Sequence, residues 1–248
     1  MLRPRTKAAI AAARAAGITV LIVTGRMFRS ARPYALEAGI DDPLVCYQGA
    51  VVADPASGEF MRHVPIPLEL ALEAVAAIEA AGYPVNVYLD DELYVARHTE
   101  ASRSYASFQH LPVHEVGDLG AWLDRPPTKI VTVGDPGGLD VLGAELKGVF
   151  AGRLYVAKSL PHFLELAQRG VTKAAGLAFV AERLGFARER TVAFGDGEND
   201  VELLEWAGYA VAVANAHERV LAAADLVCPS VDDEGVAQVI EGLLDSRS

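Results

Sequence analysis

The sequence predicts an α/β fold built on a parallel sheet, with an α+β unit inserted into it. Three observations carry that prediction. Short β-branched runs such as ITVLIV and TVAFG alternate with helical segments, glycines punctuate the junctions, and the texture changes between residues 63 and 163 before the alternation resumes. A parallel sheet needs such alternation because each crossover must carry the chain back over one face.

The elements follow in order. Thr6 is placed to cap a helix KAAIAAARAA that Gly17 stops, and ITVLIV then reads as a fully buried strand. SARPYALEAG is a second helix, and PLVCYQGAVVAD a strand pair turning at Gln48-Gly49. In the insertion, LELALEAVAAIEAAG is an amphipathic helix and VNVYLDDELYVAR a hairpin about Asp90-Asp91-Glu92. TKIVTVGDPGGLDVLGAELKGVF reads as strand, turn and helix, and RLYVAKSL and FLELAQRG as extended segments. Beyond them come a helix from Thr172 to Leu184, the strand TVAFG, the helix NDVELLEWAG, the strand YAVAVA, the helix HERVLAAA, the strand LVCP and a closing helix EGVAQVIEGLL.

Composition narrows the function classes. The chain has 248 residues, 52% hydrophobic and 22% charged, enough to bury a sizeable core. Its net charge of -11 argues against a nucleic-acid backbone as partner, since such binding rests on clustered Lys and Arg. Cys46 and Cys228 sit in apolar runs, which fits buried thiols in a reducing cytosol. The basic, Ala-rich start resembles an export signal, but Lys7 and Arg14 interrupt it and ITVLIV is far shorter than the ~20 residues that span a bilayer. The expectation is a cytoplasmic protein without a membrane partner.

Ligands of parallel α/β sheets sit beyond the carboxyl ends of the strands, and three loops there carry suitable chemistry. In LIVTGR, Thr24 ends a strand, Gly25 allows close backbone approach and Arg26 adds charge; alone this is an ordinary strand-to-helix turn. Arg29 and Arg32 read as a solvated helix face. In RGVTKAAGL, Thr172 is a helix cap and Lys173 falls in the first turn, where it opposes the helix dipole unless it faces an anion. In FGDGEND, Asp196 lies at a strand end while Asn199 and Asp200 open a helix; such carboxylates suit Mg²⁺, which takes one or two of them plus waters and phosphate oxygens, or they simply cap the helix.

Together and in this order, LIVTGR, GVTKAAGL and FGDGENDVELL resemble the haloacid dehalogenase (HAD) superfamily, specifically its Cof-type subclass IIB phosphatases, and the resemblance extends over nearly the whole chain. It implies a Rossmann-like core in residues 1–62 and 164–248, an α/β cap in 63–163 that selects substrate, and hydrolysis of small phosphorylated metabolites through an aspartyl-phosphate intermediate. It further implies that Thr24, Gly25, Arg26, Lys173 and Asn199 bind phosphate, that Thr24 and Lys173 act in catalysis, and that Asp196 and Asp200 serve Mg²⁺. The family's nucleophile motif, D-x-D-G-T, is expected on a first core strand ahead of these motifs, and the residues from Met1 onward resemble the segment after it. The expectation is therefore a chain lacking that strand and, as written, little activity; the alternative is a phosphate-ester binding or regulatory protein on the same fold.

No other carboxylate follows a buried strand with Gly-Thr behind it, as a substitute nucleophile would. Asp41, Asp42 and Asp54 lie in polar loops, and Asp90-Asp91-Glu92 has the chemistry of a hairpin tip. Gln48 stands in YQGA where the family usually has Asn. Pro112 spoils a helical pairing of His110 with His114, and GDPGG at 134–138 lacks the G-x-G-x-x-G spacing of a dinucleotide loop.

Overall fold

Helix α1 (Pro4–Ala15) starts earlier than Thr6 would allow as a cap. Pro4 takes the first helical position, where its fixed φ is suitable and its missing N–H costs nothing. Thr6 instead donates its hydroxyl to Glu234 Oε1 at 3.1 Å. The computed structural model of the chain describes residues 2–109 and 112–246, so the expectation for His110 lies outside the described residues. The chain divides into two units, Met1–Arg62 with Thr172–Ser248, and His63–Val171.

In the first unit, helix α2 (Phe28–Ala38) ends on Gly39 in the left-handed conformation. Strand β1 (Leu44–Cys46) pairs antiparallel with β2 (Val51–Ala53) around the turn Tyr47–Gly49, and β3 (Phe60–His63) continues that sheet. ITVLIV does not form the fully buried strand expected of it. Only Val23 bridges, in parallel, to Val45, and the run is half-exposed with Thr19 outermost. Among the described residues its backbone pairs on one edge only, with β1 at Val45, so the run lacks the second strand neighbour that a buried strand has.

The second unit is contiguous. Helix α3 (Leu68–Ala80), strands β4 (Val85–Leu89) and β5 (Glu92–Val95), helix α4 (Glu100–Gln109), strand β6 (His114–Glu115), helix α5 (Leu119–Trp122), strand β7 (Lys129–Val133), helix α6 (Pro136–Val149) and strands β8 (Leu154–Leu160) and β9 (Phe163–Gln168) follow in order. The strands form one sheet in the order β6-β5-β4-β7-β9-β8. Alternation sets its faces: Val85, Val87 and Leu89 enter a core with Ile130, Leu164, Leu166 and residues of α3 and α6, while Tyr88 and Lys129 face the other way. The hairpin turns on Asp90 and Asp91, both at positive φ (52° and 57°), as a two-residue loop requires. Asp135 caps α6 by accepting from the Gly137 and Gly138 amides, so GDPGG is a helix start. The unit runs past residue 163 because β9 returns to pair with β7.

The first unit resumes with α7 (Lys173–Leu184), β10 (Val192–Gly195), α8 (Val201–Trp206), β11 (Tyr209–Val213), α9 (Glu218–Ala223), β12 (Leu226–Cys228) and α10 (Gly235–Asp245). β10, β11 and β12 pair in parallel in that order. Leu203, Leu204 and Val220 pack on one face of this sheet, and Val236 and Val239 of α10 on the other. Cys46 and Cys228 are free and buried. Arg5 holds Glu241 through two contacts of 2.9 and 2.6 Å, fastening α1 to α10. Among the described residues, no helix is long and apolar enough to cross a membrane.

Candidate functional site

Thr24 leaves the half-exposed run with its amide donated to Val45 O at 2.8 Å and its carbonyl accepting from Gln48 N at 3.1 Å. Its Oγ1 accepts from Arg26 N at 3.2 Å, closing a tight local turn. The Gln48 side chain lies directly over Gly25: a Cβ there would stand 2.4 Å from Gln48 Nε2, so that side chain would have to move aside to admit one. Arg26 turns along α2, with Nη1 3.2 Å from Ser30 Oγ and the guanidinium 5.7 Å from the Tyr34 ring centre. Its charged end is thus engaged on the helix. Arg32 is not a solvated residue either; it donates to the carbonyls of Pro55 and Ala56 at 2.7 and 2.9 Å.

Thr172 caps α7, its Oγ1 accepting from Ala175 N at 3.1 Å, and Lys173 opens the helix. Lys173 is buried and does face an anion: Nζ lies 2.5 Å from Asp200 Oδ1, with the two side chains 8% and 5% exposed. Asp200 commits its other oxygen as well, since Oδ2 accepts from the amides of Asp196 and Gly197, each at 3.0 Å. Gly195 makes room for this, as a Cβ there would meet the Asp200 Cβ at 2.7 Å. Both carboxylate oxygens of Asp200 thus hold the loop together.

Asp196 is exposed at the end of β10, and its backbone carbonyl accepts from His217 N at 2.8 Å. Asn199 is exposed too, and its Nδ2 donates to Gln48 Oε1 at 2.9 Å. Thr24, Gly25, Lys173, Asp196, Asn199 and Asp200 are thus drawn into one connected network, directly or through Gln48, a residue whose part sequence reasoning did not assign. The only signal for it was its place in YQGA, where the resemblance expects another amide.

The fit to Mg²⁺ rests on Asp196. Mg²⁺ binds through one or two carboxylates while retaining waters, and Asp196 offers one exposed carboxylate beside the amide oxygen of Asn199. Among the described residues, no group of three His, Cys, Asp or Glu side chains gathers to hold a metal. The carboxylates considered as substitutes are engaged elsewhere. Asp41 and Asp42 bind Arg14, and Asp54 accepts from the Ala56 and Ser57 amides, which hold its carboxyl below the usual carboxylate range. Asp90 binds Arg125 at 3.0 Å.

The Thr-Gly turn, the buried lysine and the acidic loop all belong to the first unit, an α/β fold that includes a parallel sheet. The chain belongs to the haloacid dehalogenase-like hydrolases, whose family model matches residues 1–240. It is 29% identical over 231 residues to the 5-amino-6-(5-phospho-D-ribitylamino)uracil phosphatase YitU of Bacillus subtilis, covering 91% of this chain and 84% of the relative. It is 32% identical over 235 residues to a phosphoglycolate phosphatase of Archaeoglobus fulgidus, covering 95% and 87%. The crystal structure of a haloacid dehalogenase-like hydrolase from Bacteroides thetaiotaomicron superimposes with a TM-score of 0.89 at 28% identity, covering 98% of this chain and 93% of that one.

Proposed function

We propose that the protein is a Mg²⁺-dependent phosphomonoester hydrolase of small phosphorylated metabolites, working through an aspartyl-phosphate intermediate. The observation that carries the reading is the Thr24–Gly25 turn tied through Gln48 to the acidic loop in which Asp200 holds the buried Lys173: a fixed cation with hydroxyl and amide donors suits a phosphate dianion. The relatives support it, since YitU and the archaeal enzyme are both named as phosphatases of small phosphate esters. Their substrates share only the phosphomonoester, so the class stops there.

In this reading Thr24 and the Gly25 amide hold phosphate oxygens, and Lys173 neutralises charge on the phosphoryl group. Asp200 keeps Lys173 in place and pins the 195–197 backbone, which leaves the Asp196 carboxylate as the metal ligand. Bound Mg²⁺ would supply Lewis-acid polarisation of a phosphate oxygen. The site residues expected of the sequence thereby divide, with Asp200 supporting the ligands and Arg26 outside the set. Residues 63–171 are read as the cap that selects substrate.

The second reading, a phosphate-ester binder without turnover, is favoured for this 248-residue chain by one observation. The carboxylates that might have served as nucleophile are held elsewhere by Arg14, Arg125 or backbone amides. The test is phosphate release from phosphoglycolate, pyridoxal phosphate and sugar phosphates with Mg²⁺, alongside calorimetric titration with the same esters. Binding that needs Lys173, with little release, is the expected result for this chain; robust release that survives Lys173→Ala and Asp196→Ala would mean the site is elsewhere.

A further inference from the structure

The turn Tyr47–Gly49 touches each of the three loops. Tyr47 N donates to Arg26 O at 2.8 Å and Gln48 N to Thr24 O at 3.1 Å, which fixes the Thr24–Arg26 segment. Gly49, at a φ of +100°, lies so close to the start of α7 that a Cβ would stand 2.0 Å from Thr172 O. The Gln48 side chain reaches the acidic loop at Asn199. Tyr47 and Gln48 both hold positive φ, 52° and 58°, which non-glycine residues adopt only where surroundings over-determine them. The strain is concentrated where the three loops meet.

An amide side chain has one accepting end and one donating end. Gln48 commits its Oε1 to Asn199 Nδ2, which directs its Nε2 over Gly25, where a Cβ would meet it at 2.4 Å. No protein acceptor is found for that Nε2 among the described residues. Asn199, having given Nδ2 to Gln48, holds its Oδ1 beside Gly197, 2.6 Å from where a Cβ would lie. The two amides are therefore sorted by polarity, donor toward the Thr24–Gly25 turn and acceptor toward the Asp196 loop.

We propose that Gln48 is a binding residue of the phosphate pocket, donating from Nε2 to an oxygen of the phosphate ester, and that Asn199 is the positioning residue that orients it. The inference rests on the phosphate reading of the Thr24–Gly25 turn.

The test titrates inorganic phosphate, without added Mg²⁺ so that a cation near Asn199 plays no part, into the full chain and its variants. Gln48→Met is expected to weaken phosphate binding about tenfold or more, the effect of losing a hydrogen bond to a charged oxygen. Gln48→Glu keeps an oxygen for Asn199 Nδ2 and replaces the donor by a second oxygen, so it should weaken phosphate binding at least as far while its melting temperature stays near that of the parent. Asn199→Ala should weaken it less, and Gln48→Met/Asn199→Ala should bind no more weakly than Gln48→Met alone, because Asn199 acts through Gln48. Parent-like phosphate affinity in Gln48→Glu or Gln48→Met, or additive losses in the double variant, would overturn the inference. A parent chain that fails to bind phosphate would overturn the phosphate reading itself, and this inference with it.

Discussion

Lys173 and Asp200 form a buried ion pair, 2.5 Å apart, that joins the first turn of α7 to the loop after β10. Removing one partner strands the other charge out of water. Lys173→Met is expected to destabilise the protein by about 3–5 kcal/mol and Asp200→Asn by a comparable amount. Replacing both should cost less than the sum, since neither variant charge is then left alone. Urea denaturation of the two single variants and the double variant checks this, and additive losses would deny the pair its coupling.

Asp196 has the opposite character, exposed and with its side chain open to solvent. Asp196→Asn should leave the melting temperature unchanged while weakening Mg²⁺ binding by about tenfold or more, equivalent to 1.4 kcal/mol. Calorimetric titration with MgCl₂ reads the affinity. Unchanged affinity would move the metal to another ligand.

Two glycines offer a contrast that needs no assay of function. Gly49→Ala places a Cβ 2.0 Å from a backbone oxygen at a φ of +100°, and should cost about 3 kcal/mol or more. Gly242, inside α10 with nothing within 4 Å, should accept alanine with a gain of about 0.5–1 kcal/mol. Thermal melts of the two variants should shift in opposite directions.

His63 supplies a pH dependence in the second unit. Burial pushes its imidazole below the ordinary value of 6.5, with the Asp90 charge opposing, while Nε2 sits 2.9 Å from Thr128 Oγ1. The unfolded chain then takes up a proton at a higher pH than the folded one, so stability falls as pH drops below 6.5 and levels off once folded His63 protonates. Because the side chain is substantially exposed, the effect is small. His63→Gln should flatten the melting temperature in that range, and an unaltered pH profile would assign the dependence to other groups.

Much of this fold could be read from local chemistry. Asp90-Asp91 marked the hairpin because short polar residues tolerate left-handed backbone, and Gly39 and Thr172 marked helix ends through capping. What periodicity could not give was coverage by neighbours. ITVLIV has the pattern of a buried strand, yet its burial depends on how many strands flank it, which no run of residues encodes. The site divided in the same way. Lys173, Asp196 and Asp200 were visible as charged residues at strand and helix ends, but which Asp oxygens were already committed, and where the Arg26 and Arg32 guanidinium groups turned, depended on contacts distant in sequence. Gln48 stood out in YQGA, but its contact could not be read because its partner Asn199 is 151 residues away.

That separation bears on how the protein is made. The unit carrying the pocket is split by a contiguous unit, His63–Val171, that emerges from the ribosome in full before Lys173, Asp196 or Asn199 exists. Nascent residues 1–62 must wait with Val45, Val52 and Leu21 lacking the α7 and β10 side chains that later cover them. Pairings so remote in the chain are slow to form, because loop closure precedes their reward. The site thus cannot assemble until the second unit has been made in full, and α1 waits longer still for its partner α10.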